Sequence, residues 1–174
     1  MPNLKRSPLL AVALGLAICF ASYRLITYLF VSALMTHYKS FIPPTFEIDR
    51  GVFAGQQVGG FTEGCGVAIF SIAERTATDI SAGGVVFLNE TSRGTRHKDR
   101  QYQNWRQAPV ERTLFQRLAE PDAGGNVCAE VPDVLIKDIL AASRGSGAFH
   151  SGFNPNTEIV VIPSLRLVVF SHDR

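Results

Sequence analysis

From Leu9 to Thr36 the chain is apolar but for one formal charge, Arg24, and Lys5 and Arg6 stand just ahead of the run. At about 1.5 Å per residue this stretch exceeds the roughly 20 residues needed to cross a bilayer. Beyond it the pattern breaks into short apolar or alternating segments divided by glycine and proline, as in a small folded domain. The pattern therefore predicts an α+β protein: one N-terminal transmembrane helix, then one mixed domain ending in an antiparallel hairpin.

Pro43-Pro44 ends any helix leaving the membrane, because neither residue supplies an amide hydrogen. Phe46 to Gly51 alternates and predicts a short strand ending at Gly51, with Gly55, Gly59 and Gly60 marking a loop. Gly66 to Phe70 predicts a buried strand. Ser71 and Glu74 have capping-box spacing, and Ala73, Thr76, Ala77 and Ile80 form a helical stripe that Gly83-Gly84 should terminate. Val85 to Leu88 reads as a second strand. Strand, helix and strand in so few residues are short for a parallel crossover of about 30, which favours α+β over a doubly wound sheet.

Further on, Val110, Leu114 and Leu118 share one face of a helix from Pro109 to Ala119, which Pro121 closes. Leu135, Ile136, Ile139 and Leu140 do the same in a helix from about Pro132 to Ser143, with proline suited to its first position and Gly145 to its end. Gly145 to Gly152 reads as a flexible loop. The runs Glu158–Ile162 and Leu165–Phe170, separated by Pro163-Ser164, predict the hairpin, and Phe170 to Asp173 is expected to fray as a chain end. The expected division is a membrane anchor at 1–36, a Gly/Pro-rich connector at 37–64 and an α+β extracytoplasmic domain at 65–174.

Charge changes this picture in one respect. The chain totals 17 basic and 15 acidic residues. Lys5, Arg6 and Arg24 lie in the N-terminal part, which leaves 14 basic against all 15 acidic residues beyond His37, a net −1. Nucleic acid is not an expected partner.

The apolar run has two principal readings. As an uncleaved signal anchor it puts Lys5 and Arg6 in the cytosol and the domain outside, by the positive-inside rule. The expected location is a bacterial inner membrane, single-pass, with the domain on the periplasmic side. As a cleaved signal, Leu9 to Phe20 is an h-region and Ala21 or Ser22 a cleavage site, but the product would begin with a second greasy segment, Leu25 to Met35. Lipidation at Cys19 fails because Ile18 stands where a small residue is required. With the span at about Ser7 to Tyr28, Arg24 can extend to the phosphates, flanked by Tyr23 and Tyr28 in the aromatic belt; the alternative is an intramembrane partner for its charge. Leu25 to Met35 would then continue as an amphipathic or membrane-hugging helix leading into the domain.

Candidate chemistry is sparse. The sequence holds no nucleophile elbow, phosphate loop, zinc-protease helix or Cys-x-x-Cys pair. His37, His97, His150 and His172 lack metal-site spacing, and no metal or cofactor is expected. Cys65 between Gly64 and Gly66 is a candidate nucleophile, with His150 as base and Glu63 as orienter. The competing expectation is a Cys65–Cys128 disulfide, favoured in an oxidising compartment. Arg93, Arg96, Lys98, Arg100, Tyr102 and Trp105 form a basic–aromatic stretch that could meet lipid head groups or an acidic partner, unless the two aromatics fold back onto the domain. Phe41, Phe46, Phe53 and Phe61 are candidate partner anchors or core. The expected function is a membrane-anchored interaction or accessory protein whose partners are the lipid bilayer and a membrane or extracytoplasmic protein. A thiol enzyme using Cys65, or a small domain secreted after cleavage, stands as the alternative.

Overall fold

The first element, α1 (Pro8–Lys39), runs unbroken for 32 residues, about 48 Å. A computed structural model describes it together with the rest of residues 8–59, 63–92, 101–109, 114–115 and 131–173. Two different surfaces share its axis. From Leu10 to Val31 the large apolar side chains are exposed, whereas Leu34 and Tyr38 are buried. The helix is thus a bare apolar rod whose last two turns are docked onto a folded domain. It is long and apolar enough to cross a membrane, a property that anchors and signal sequences share. Leu25 to Met35 continues the same helix into the domain, as the sequence leads one to expect, with its large apolar side chains exposed as far as Val31.

After Lys39 the chain turns, with Ile42 and Phe46 buried, into a six-stranded sheet ordered β1-β2-β6-β5-β4-β3. The strands are β1 (Ile48–Gly59), β2 (Glu63–Ile72), β3 (Gln103–Gln107), β4 (Phe149–Gly152), β5 (Thr157–Ile162) and β6 (Leu167–Asp173). Every neighbouring pair is antiparallel. Among the described residues, the helices of more than one turn that accompany them are α2 (Glu74–Thr91) and α3 (Asp133–Ser143). This is the α+β fold that the sequence pattern predicts, with the C-terminal hairpin formed by β5 and β6 around a 3-10 turn at Pro163–Leu165.

Both faces of the sheet are covered. On one, Ala68, Phe70, Ile159, Val161, Val168 and Phe170 pack with the end of α1, with Ala77, Ile80 and Leu88 of α2, and with Tyr102 and Trp105. On the other, Val67, Ile69, Val160, Ile162 and Val169 pack with Phe115 and with Ile139 of α3. Strands buried on two sides need apolar residues at successive positions, which is why β2, β5 and β6 do not alternate.

Several expected boundaries move. β1 passes through Gly51 and Gly55 to Gly59, because β2 pairs with it along its length, with irregularities at Ile48/Arg50 and Gly51/Phe53 absorbing the twist. Ser71 is no cap: it lies in β2, and Ala73 precedes the first turn of α2 without a side-chain bond. Val85 to Leu88 is helical. Gly84 takes φ 54° and ψ −141°, a kink between two helical halves, after which Leu88 turns into the core. A short apolar run fits either element by periodicity, and here burial against one face decides for helix. β4 lies inside the expected loop Gly145–Gly152, and β6 continues through the expected frayed end to Asp173. Leu114 and Phe115 are helical and buried; the remainder of the expected 109–119 helix beyond Pro109 lies outside the described residues.

Candidate functional site

Two clusters join elements that are distant in sequence. The first is the junction between α1 and the sheet. Tyr38, in the last turn of α1, sends its ring against Phe170, with centroids 5.8 Å apart. Its hydroxyl lies 3.1 Å from His172 Nε2 and 3.4 Å from Gln56 Oε1. Directly beneath is Gly66 of β2. A Cβ there would lie 1.9 Å from the Tyr38 hydroxyl and 2.6 Å from His172 Nε2. Gly66 therefore serves as the floor of the tyrosine socket, and with Gly64 and Cys65 it lies inside β2. Met35 makes a similar approach to Gly51, where a Cβ would lie 2.7 Å from Met35 Sδ. Two glycines on adjacent strands thus admit two side chains from successive turns of α1.

The second cluster surrounds His150. It lies on β4, buried, and not in a mobile loop. Nε2 is 3.1 Å from the Ser143 carbonyl oxygen at the end of α3, and Nδ1 is 3.4 Å from Glu158 Oε1 on β5. The other carboxylate oxygen accepts the Phe115 backbone N–H at 2.8 Å. One histidine and one glutamate thus tie β4, β5, α3 and the helical residues Leu114–Phe115 together. The His150 side chain is 2% exposed and that of Glu158 12%. The histidine is buried and the glutamate nearly so, and both ring nitrogens face oxygen atoms, an arrangement that cross-ties these elements.

The candidate thiol chemistry does not assemble. Ile69, Val169, Val160 and His150 lie in one cross-strand row, whereas Cys65 lies four residues along β2 from Ile69. Three strand spacings and four residues separate Cys65 from His150 by about 20 Å. Cys19 is the free, exposed cysteine among the described residues. The expected Cys65–Cys128 bridge, which requires two α-carbons within about 7 Å, is not found: Cys128 lies outside the described residues, and among those no complete disulfide is present. The side chain of Glu63 also lies outside the described residues.

The basic–aromatic stretch divides in the same way. Tyr102 and Trp105 are buried, the indole donating to Ser92 Oγ at 2.9 Å, while Arg93, Arg96, Lys98 and Arg100 lie outside the described residues. Phe46 is core, Phe41 is half-buried against the same cluster and Phe53 against the cluster on the other face of the sheet; Phe61 lies outside the described residues. Tyr23 and Tyr28 are exposed on α1, and the Arg24 guanidinium lies 5.3 Å from the Phe20 ring centroid. Among the described residues no three His, Cys, Asp or Glu side chains converge as metal ligands. Sequence reasoning missed the socket of Tyr38, Gly66 and His172. Its one visible signal was a glycine inside an apolar strand, which marks close approach as readily as a turn. Comparisons with protein-family models, with curated proteins and with solved structures found no match.

Proposed function

We propose that the chain is a membrane-anchored accessory protein: α1 crosses the bilayer once, and the α+β domain is held against the membrane on the side opposite Lys5 and Arg6. The observation that carries this reading is the continuity of α1. Its exposed apolar stretch from Leu10 to Val31 is about 33 Å long, close to a hydrocarbon core of about 30 Å. The same helix then buries Leu34 and Tyr38 in the domain core. Such a junction holds a domain at a fixed depth and orientation, as an accessory subunit presenting a surface to a neighbour requires. The flanking charges Lys5 and Arg6 support a domain outside the cytosol, on the periplasmic side of an inner membrane.

Alkaline carbonate extraction tests the anchor. The full-length chain is expected to stay with the membrane pellet and to keep its N-terminal residues by mass. A mature chain beginning near Tyr23 and released into the soluble fraction would replace the anchor by a cleaved signal. A C-terminal reporter active only outside the cytosol tests the side, and is expected to be active.

A further inference from the structure

We infer that Arg24 is the docking point, inside the bilayer, for a transmembrane helix of a different protein that carries an aspartate or glutamate at matching depth; this rests on the anchor reading above. The junction with the domain fixes the depth. Among the described side chains of α1, Leu34 is the first that is buried, and Arg24 lies ten residues before it, about 15 Å along the axis. Leu25, Ile26, Leu29 and Phe30, all exposed, fill the interval. Raising the membrane edge to Arg24 would leave those four side chains in water. With the edge at Val31 or Leu34, the arginine lies two to three turns inside, whereas snorkelling serves residues near helix ends.

The side chain also leans the wrong way for escape. Its guanidinium lies 5.3 Å from the Phe20 ring centroid, toward the N-terminus as helical side chains generally lean. That direction leads away from the domain-side head groups, and the opposite edge, near Leu10, is about 21 Å away. The phenyl face offsets part of the cost of the cation but does not neutralise it. A carboxylate on a neighbouring helix does. That carboxylate cannot come from a second copy of this chain, whose first acidic residue is Glu47, outside α1; two copies would juxtapose two arginines. Ala17 and Ala13, two and three turns before Arg24, share its face and let a neighbour approach closely. Met35 and Tyr38, three and four turns beyond, share it as well, so the partner helix leaves the bilayer on the side where the domain is docked.

The test uses the full-length chain in phosphatidylcholine vesicles, with a donor fluorophore at its C-terminus. The probe is a synthetic leucine–alanine helix of about 21 residues with a central Glu, or with Gln in its place, labelled as acceptor. The Glu probe is expected to bind about five- to thirty-fold more tightly than the Gln probe, the range that buried polar contacts between model helices support. Arg24→Leu should remove the difference, and Arg24→Glu should transfer the preference to a probe with a central Lys. Equal binding of the Glu and Gln probes overturns the inference, as does a Glu preference that survives Arg24→Leu. Self-association of the wild-type chain stronger than its binding to the Glu probe also overturns it. Flotation with the vesicles separates the two readings: a wild-type chain that does not float overturns the anchor and this inference together, whereas a floating chain with equal ratios overturns this inference alone.

Discussion

The contact between Tyr38 and Gly66 sets what single residues can do here. Gly66→Ala would drive a methyl into the space of the Tyr38 hydroxyl, where a Cβ has 1.9 Å, so either the end of α1 lifts or β2 shifts. Overpacking of this kind costs about 1–3 kcal/mol, read as a lowered denaturation midpoint of the full-length protein in detergent. Tyr38→Phe removes the closest atom, and combined with Gly66→Ala it should recover part of that loss, giving a measurable coupling between the two sites. His150→Ala acts elsewhere, leaving the Glu158 carboxylate and the Ser143 carbonyl without the ring between them. Removing one member of a buried hydrogen-bonded set costs about 1–3 kcal/mol, and an alanine also leaves a cavity, so a loss of about 2–4 kcal/mol is expected by the same measurement. The sequence makes His150 conspicuous among glycines, but it does not reveal burial, because partners eight and seven residues away meet it only once β4, β5 and the end of α3 are assembled.

At the scale of elements, legibility followed the length of the pattern. α1, α3 and the β5–β6 hairpin carry long apolar periodicities and fold as the pattern predicts. The segment after Gly83-Gly84 does not, because four apolar residues fit a strand or a helix equally well and the choice was made by the core that receives Leu88. Gly84 is the residue that makes the kink possible. Its φ of 54° with ψ −141° is close to backbone space that side chains strongly disfavour, at about 1–3 kcal/mol. Gly84→Ala should therefore destabilise the domain by that order, whereas Ala82→Gly, at an exposed helical position two residues earlier, should cost about 1 kcal/mol or less. If the two variants shift the midpoint equally, the kink carries no special strain. β1 was legible only in its first residues. Its second half contains glycines that read as loop, and pairing with β2, a long-range contact, holds it extended.

For the whole molecule, the question is whether α1 is an appendage or part of the fold. A tether linked by a flexible connector would contribute nothing to the stability of the domain. Here Leu34 and Tyr38 belong to the same buried cluster as Phe70, Phe170 and Trp105, so the last turns of α1 are a piece of the core that also happens to enter the membrane. Fully burying a large apolar side chain contributes about 1.5–3 kcal/mol, and two of them about 3–5 kcal/mol. A soluble chain of residues 33–174 should therefore unfold with that much more stability than one of residues 40–174, by urea denaturation followed by tryptophan fluorescence, since Trp105 reports from within that cluster. Equal midpoints would show that the junction is a contact of convenience and that the domain ends at the turn after Lys39. The same comparison bears on processing: a cut at Ala21 or Ser22 spares the docked turns, while any cut beyond Leu34 removes part of the core. If the longer chain alone folds cooperatively, the length of helix that the domain retains is set by packing against the sheet, and the membrane receives the domain at an orientation that the fold itself determines.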